Sequence, residues 1–282
     1  MRIHTNIGAM SAYRNLSQTN KAVQGSLEKL SSGVRINRAA DDASGLVRSE
    51  GLRSEISGLK QARRNAEDGI ALLQTAEGGL NEVTSILQRM RDLAVSAGNS
   101  TSSGEAEQAE IDELIDEIVA TDDRITFSGR EIFRNYSKDR WTLEFQLGAN
   151  GGSANQLEVT KNLDLGVRVQ RWDGVVGEDL GEIDVTTNSG AQQAIETLDS
   201  AVSNVSSARS ELGAIQNRLE SVVRNSSAAV ENLSAAESRI RDTDMAQQQT
   251  RFIRNQILQQ AGTSMLAQAN QRPRSVLSLL SG

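Results

Sequence analysis

The chain contains no cysteine, one proline, one histidine and only 3% aromatic residues among its 282. Without a thiol, a disulfide scaffold, a thiolate zinc site and a cysteine nucleophile are excluded. With His4 as the only imidazole, neither a histidine-based triad nor an ordinary zinc site can be assembled. A lone histidine so near a terminus reads as solvent-facing or packed. No run of 18 apolar residues occurs, so no membrane-spanning helix is expected. The opening MRIHTNIGAMSAYRNLSQTN has no apolar core of a secretory signal, and export, if it happens, is expected by another route. GxxxxGK[ST] and HExxH are both missing, and the glycines at 148–152 do not open a helix as a phosphate loop does. No cofactor is called for.

What is present is charge and periodicity. Residues 1–40 carry a net of +5 and 239–282 a net of +4, against −7 overall, which leaves −16 for 41–238. Six of the eight aromatics fall between 127 and 172. An acidic body, and basic ends with a single aromatic each (Tyr13 and Phe252), argue against nucleic-acid binding. The same ends have no Trp and only one Phe, Phe252, short of the aromatic anchors of helices that lie on membranes.

Apolar residues in 1–40 (Ile3, Ile7, Met10, Tyr13, Leu16, Val23, Leu27, Leu30, Val34) follow mostly three- and four-residue steps. Leu59, Ala66, Leu73, Leu80, Leu87 and Ala94 recur every seven residues, with Ile56, Ile70, Val83 and Met90 alongside. Leu198, Val205, Leu212, Leu219, Ser226, Leu233 and Ile240 repeat at the same interval. Heptads this sustained predict long helical rods packed side by side. Glycine and serine at 98–104 break the first rod, and a short acidic helix is expected over about 105–124, with Ile111, Leu114, Ile115 and Ile118 on one face. The period then becomes two. Trp141, Leu143, Phe145 and Leu147 alternate with polar residues, a turn follows at 148–152, and Leu157 and Val159 read as the return strand. Residues 160–190 are glycine-interrupted and read as a small irregular strand-and-turn segment. The fold class expected is mainly α: long antiparallel rods in a coiled-coil-like bundle with one β-hairpin near 140–160.

The terminal stripes pose a physical problem, because each large apolar side chain gains about 1.5–3 kcal/mol by burial and the middle offers no core for them. Isolated helices are marginal in water. The ends are therefore expected to pair with each other, with other copies or with a carrier, and to be largely disordered in a free monomer. A subunit with sticky segments at both ends can build an open helical polymer; the plainer alternative is an intramolecular coiled coil that closes a monomer. Asp41-Asp42 and Asp242-x-Asp244 could hold a cation, but Arg38, Arg239 and Arg241 beside them favour salt bridges or helix-start charges.

These segments resemble a family. LSSGVRINRAADDASGL (30–46), GIALLQTAEGGLNEVTSILQRMRDLAVSAGN (69–99), LGAN (147–150), LGAIQNRLE (212–220), NLSAAESRIRDTDMA (232–246) and MLAQANQRPRSVLSLL (265–280) resemble the signatures of bacterial flagellins, in order and spacing. The resemblance implies a non-enzymatic filament subunit for swimming, located outside the cell on the flagellum and exported unfolded through the flagellar secretion channel. It implies that 1–42 and 238–282 pair as an inner-core coiled coil, that 43–159 and 191–237 form the rod shell, and that 160–190 is a short remnant of a variable region. Assembly positions implied are Ile3, Ile7, Leu16, Val23, Leu27, Leu30, Arg35, Asn37, Asp41, Asp42, Ile257, Leu258, Met265, Leu266, Val276, Leu277 and Leu280. The partners implied are other copies in a homopolymer, an export chaperone for the C-terminal segment, the hook–filament junction and filament cap proteins, and a vertebrate Toll-like receptor. For that receptor the matching positions are Gln88, Arg89, Arg91, Leu93 and, on the short helix, Glu110; Met90 and Asp92 stand where Val and Glu are commoner. A hook–filament junction protein, and a secreted enzyme carried in the middle segment, are the rival readings.

Overall fold

The computed structural model describes residues 6–99, 103–133, 142–160, 165–167, 175–178 and 180–280. Five helices dominate: α1 (Ile7–Ser32), α2 (Ala43–Ala97), α3 (Glu105–Arg124), α4 (Asn188–Arg241) and α5 (Met245–Leu280). Among the described residues, three small two-stranded sheets lie between α3 and α4 in the sequence. The chain divides into two compact units: residues 1–54 with 231–282, and residues 55–230.

The second unit is built on the heptads, and its seam is wider than the large residues alone suggest. On α2 the line Ala66, Leu73, Leu80, Leu87 and Ala94 is buried. So is a second line, Ala62, Ala76, Val83, Met90 and Ala97, with Gly69 in register. Alternating three- and four-residue steps between the two lines give a continuous a/d seam. Ile70, expected on the seam, is only half-buried, because Gly69 holds the inward position beside it. A methyl group at Gly69 would lie 3.0 Å from Phe145 Cε1 and 3.2 Å from Leu219 Cδ1. On α4 the opposing line is Ala191, Leu198, Val205, Leu212, Leu219 and Ser226, joined by Ala194 and Ala201. Arg91 pairs with Asp199 at 2.5 Å and Arg209 with Glu77 at 3.7 Å, so α2 and α4 run antiparallel here. The short helix α3 contributes Ile111, Ile115 and Ile118, with Leu114 partly buried against the same core.

β1 (Thr126–Phe127) and β2 (Arg130–Glu131) form a tight hairpin whose loop residues, Ser128 and Gly129, both have positive φ, at 53° and 77°. That pairing matches the twist of a two-residue hairpin loop. The period-two segment forms the expected hairpin: β3 (Thr142–Gln146) pairs antiparallel with β4 (Gln156–Thr160), with Phe145 opposite Leu157. Leu157 is 4% exposed and Phe145 packs on the core, while Trp141 lies outside the described residues. Asn65 of α2 donates its side-chain N–H to the Gln146 carbonyl at 3.0 Å, and Gly58 accepts the turn residue Ala149 against its bare Cα.

Within 160–190, read as a small irregular strand-and-turn segment, the last third is partly buried. β5 (Leu165–Val167) pairs parallel with β6 (Val175–Glu178), and the chain then drives Leu180, Ile183 and Val185 into the core at 0%, 8% and 0% exposure. Gln108 of α3 fixes this stretch: its amide N–H donates to the Ile183 carbonyl at 3.0 Å, and its amide oxygen accepts from the Val185 N–H at 2.8 Å. The stretch is a plug that closes the bundle, not a decoration on it.

Candidate assembly and recognition surfaces

In the first unit α1 and α5 pair antiparallel. Asn6 caps α1 by accepting from the Ala9 N–H at 3.0 Å, and its side-chain N–H donates to the Ala269 carbonyl at 2.8 Å. Gly262 lies against Leu16, where a methyl group would meet Leu16 Cδ1 at 3.2 Å. The ends are thus helical and paired in a single chain, in contrast to the disorder expected of a free copy. Pairing nevertheless satisfies only one edge of each stripe. Leu16, Val23, Leu30 and Leu266 are half-buried, and Ser26 is the buried residue of α1. On the other edge Ile7, Met10, Tyr13 and Leu27 are 57–64% exposed, and on α5 Ile253, Ile257, Leu258 and Met265 are 47–65% exposed. A shallow groove of about 390 Å³ runs along this edge, lined by Ala9, Met10, Tyr13, Arg14, Leu266 and Asn270. The stripe is broader than the contact that one partner helix can make. Ile3 lies outside the described residues, and Val276, Leu277 and Leu280 belong to the last turns of α5.

A double turn closes the other end of this helix pair. Gly33 terminates α1 in the left-handed region at φ 72°, its N–H donating to the Lys29 carbonyl. The chain then meets the α4–α5 turn in a short antiparallel bridge between Val34 and Asp242. Arg35 N–H donates to the Arg241 carbonyl at 2.6 Å, Thr243 N–H donates to the Gly33 carbonyl at 3.1 Å, and the Arg35 guanidinium reaches the Ile240 carbonyl. Ile36 is buried beneath them at 1% exposure.

Two of the acidic residues of these turns, Asp42 and Asp244, act as caps. Asp42 accepts from the Gly45 N–H at 2.8 Å to open α2, and Asp244 accepts from the Gln247 N–H at 3.1 Å to open α5. Asp41 accepts from the N–H groups of Asn37 and Arg38 and pairs with Lys29 at 3.6 Å. The arginines next to them in sequence point elsewhere: Arg38 pairs with Glu28 at 2.9 Å, and Arg241 with Glu50 at 2.7 Å. Among the described residues no His, Asp or Glu cluster could hold a metal ion.

Three carboxyls here sit below the usual carboxylate range. Glu28 is held down by the donated hydrogen bond from Asn37 and then by Arg38, Asp41 by the Arg38 N–H, and Glu50 by Arg241. Arg35, Asn37 and Asp41, expected at contacts between copies, thus have partners within their own chain.

In the second unit Arg89 of α2 and Glu110 of α3 come together on the exposed side of the bundle. Arg89 Nε and Nη2 donate to Glu110 Oε1 at 2.9 and 2.7 Å. Gln88 is exposed beside them, and Arg91 lies on the flank facing α4, bound to Asp199. Leu93, named with them, is 8% exposed and packed in the core cluster. Gln108, which locks the plug, was not singled out by the sequence.

Comparison with known proteins agrees with this architecture. Residues 3–138 match the bacterial flagellin N-terminal helical region, and residues 195–280 the bacterial flagellin C-terminal helical region. The chain is similar to the flagellin of Halalkalibacterium halodurans, at 46% identity over 99% of this chain and all of that one. It is similar at 43% identity, over 99% of this chain and all of the other, to the flagellar filament 33 kDa core protein of Treponema phagedenis. The structure of a putative flagellar hook-associated protein from Vibrio parahaemolyticus shares the fold, with a TM-score of 0.58, 14% identity, and coverage of 72% of this chain and all of that one. Full-length agreement with filament proteins, against likeness of fold alone to the hook-associated protein, favours the filament over the junction. No helix among the described residues is long and apolar enough to cross a membrane. With both terminal regions matched and no large segment between them, the chain belongs to the bacterial flagellin family, as a structural subunit of the flagellar filament.

Proposed function

We propose that the paired ends form the inner contact layer of the filament, each copy covering the apolar edge of α1 and α5 that its own chain leaves open. The observation that carries this is the exposure of Ile7, Met10, Tyr13, Leu27, Ile253, Ile257, Leu258 and Met265 on an already ordered helix pair. Helices that could close a monomer by themselves would hide those side chains. Chains stacked head to tail along an open helix hide them instead. The heptad bundle of the second unit, whose core is built within one chain, serves as the rod shell, and the short segment 160–190 is too small to fold a catalytic domain by itself. No enzymatic role is proposed.

Export fits this reading. A chain with no cysteine and one proline is free of thiol cross-links and of most slow isomerisation while it is threaded unfolded through a narrow channel. Before assembly the open edge of α5 needs a cover, which a chaperone of the export system would supply, and the junction and cap proteins would meet the first and last copies. The exposed Gln88, Arg89, Arg91 and Glu110 suit a polar contact with a vertebrate Toll-like receptor on the rod shell.

Deleting residues 265–282 tests the reading. The expected result is loss of seeded polymerisation, with the heptad bundle still folded by circular dichroism. Normal filaments from the truncated chain would overturn it.

A further inference from the structure

Four methionines lie among the described residues, and they separate by exposure. Met90 is 0% exposed at the heart of the heptad core, whereas Met10, Met245 and Met265 are 57%, 50% and 65% exposed. All three exposed ones stand on α1 or α5. Met10 lines the groove with Tyr13 and Leu266, and Met265 precedes Leu266 in sequence. In a chain with no cysteine, the thioether is the side chain most readily attacked by two-electron oxidants.

We propose that Met10, Met245 and Met265, each exposed on α1 or α5, are separate reversible oxidation sites that decide whether an unassembled chain can join a polymer, the oxidant being a peroxide. The sulfur lone pair attacks one peroxide oxygen and the O–O bond breaks. The departing oxygen takes up a proton and leaves as water when the oxidant is hydrogen peroxide. Sulfur is oxidised by two electrons to the sulfoxide, and the peroxide is reduced. A flexible apolar side chain thereby becomes a polar one with a strong acceptor oxygen. On an exposed helix the change is harmless, since water solvates the new oxygen. Against the apolar surface of another copy that oxygen would be buried without a donor, which opposes subunit addition. A sulfoxide reductase reverses the change. Copies already inside the polymer would be shielded, so oxidation acts on chains in transit. This rests on the reading that other copies cover these helix faces.

The test uses the full-length chain and dilute hydrogen peroxide. Peptide mass analysis of the treated monomer should show one added oxygen at Met10, Met245 and Met265 and none at Met90. Seeded elongation should slow by roughly tenfold or more, the scale of one buried unpaired acceptor. Methionine sulfoxide reductase with a thiol reductant should restore it. A chain carrying Met10→Leu, Met245→Leu and Met265→Leu should elongate at the same rate before and after peroxide. An oxidised chain that bears the three sulfoxides yet elongates at the untreated rate overturns the proposal, as does an equal loss in the triple variant. Should the triple variant fail to elongate even untreated, failure of the reductase to rescue the oxidised natural chain overturns it. The truncation lacking 265–282 separates the two readings: if truncation blocks assembly and oxidation does not, only the oxidation proposal falls.

Discussion

Gly58 and Gly78 both lie in the interior of α2, and the same substitution should move stability in opposite directions at the two positions. An alanine in a helix interior is favoured over glycine by about 1 kcal/mol, partly because it restricts the unfolded chain. At Gly78 nothing lies within 4 Å of the position a methyl group would take, so Gly78→Ala should stabilise by about 0.5–1 kcal/mol. At Gly58 the methyl would lie 2.6 Å from Ala149 Cβ and 2.8 Å from Ala149 Cα, in the turn between β3 and β4. That neighbour is backbone, held by the Gln146 side chain, whose N–H donates to the carbonyls of Gly148 and Asn150 at 3.0 Å each. It cannot swing away as a side-chain end could. Overpacking of this kind costs about 1–3 kcal/mol, which exceeds the propensity gain. Gly58→Ala should therefore destabilise by up to about 2 kcal/mol net, and the two variants should melt several degrees apart, up to about 10 °C. Thermal unfolding followed by far-ultraviolet circular dichroism measures the gap. Equal stabilisation by both alanines would refute the close approach of the hairpin turn to α2.

Other consequences follow from the same geometry. Leu80→Ala, at a fully buried seam position, should cost about 2–5 kcal/mol in denaturant unfolding. Arg89→Ala breaks an ion pair whose partners are 57% and 44% exposed, so stability should change by no more than about 1 kcal/mol; receptor activation by the purified monomer should nonetheless fall, and an unchanged dose response would remove that site. Glu28, Asp41 and Glu50 have folded-state pKa values below their unfolded ones, so their contribution is present in full above the ordinary carboxylate range, near pH 4, and is lost as pH falls through the lowered values. Acid titration should loosen the double turn first, seen as faster hydrogen exchange at the Arg35 and Thr243 amides. Glu28→Gln should weaken that acid response.

Both rods were legible from large apolar residues at seven-residue spacing, and the hairpin from its change of period. Of the second heptad line on α2 only Val83 and Met90 were, because Ala62, Gly69 and Ala76 are too small to register as a hydrophobic stripe. They are inward-facing because close helix and hairpin packing needs little bulk there. The plug was hidden for a different reason. Leu180, Ile183 and Val185 are too few to show a period, and what fixes them is Gln108, some seventy residues earlier in the chain. In the double turn the capping roles of Asp42 and Asp244 could be read from their places before helices, whereas the partners of Arg38 and Arg241, which are Glu28 and Glu50, could not be read from adjacency.

The most direct test is side-chain labelling by hydroxyl radicals of Tyr13, Leu27, Ile257 and Leu258, in the monomer and in the polymer grown from it. Strong labelling in the monomer and loss of most of it in the polymer is the predicted result. Labelling of these four side chains that stays the same on polymerisation would contradict the assignment of this helix face to contact between copies.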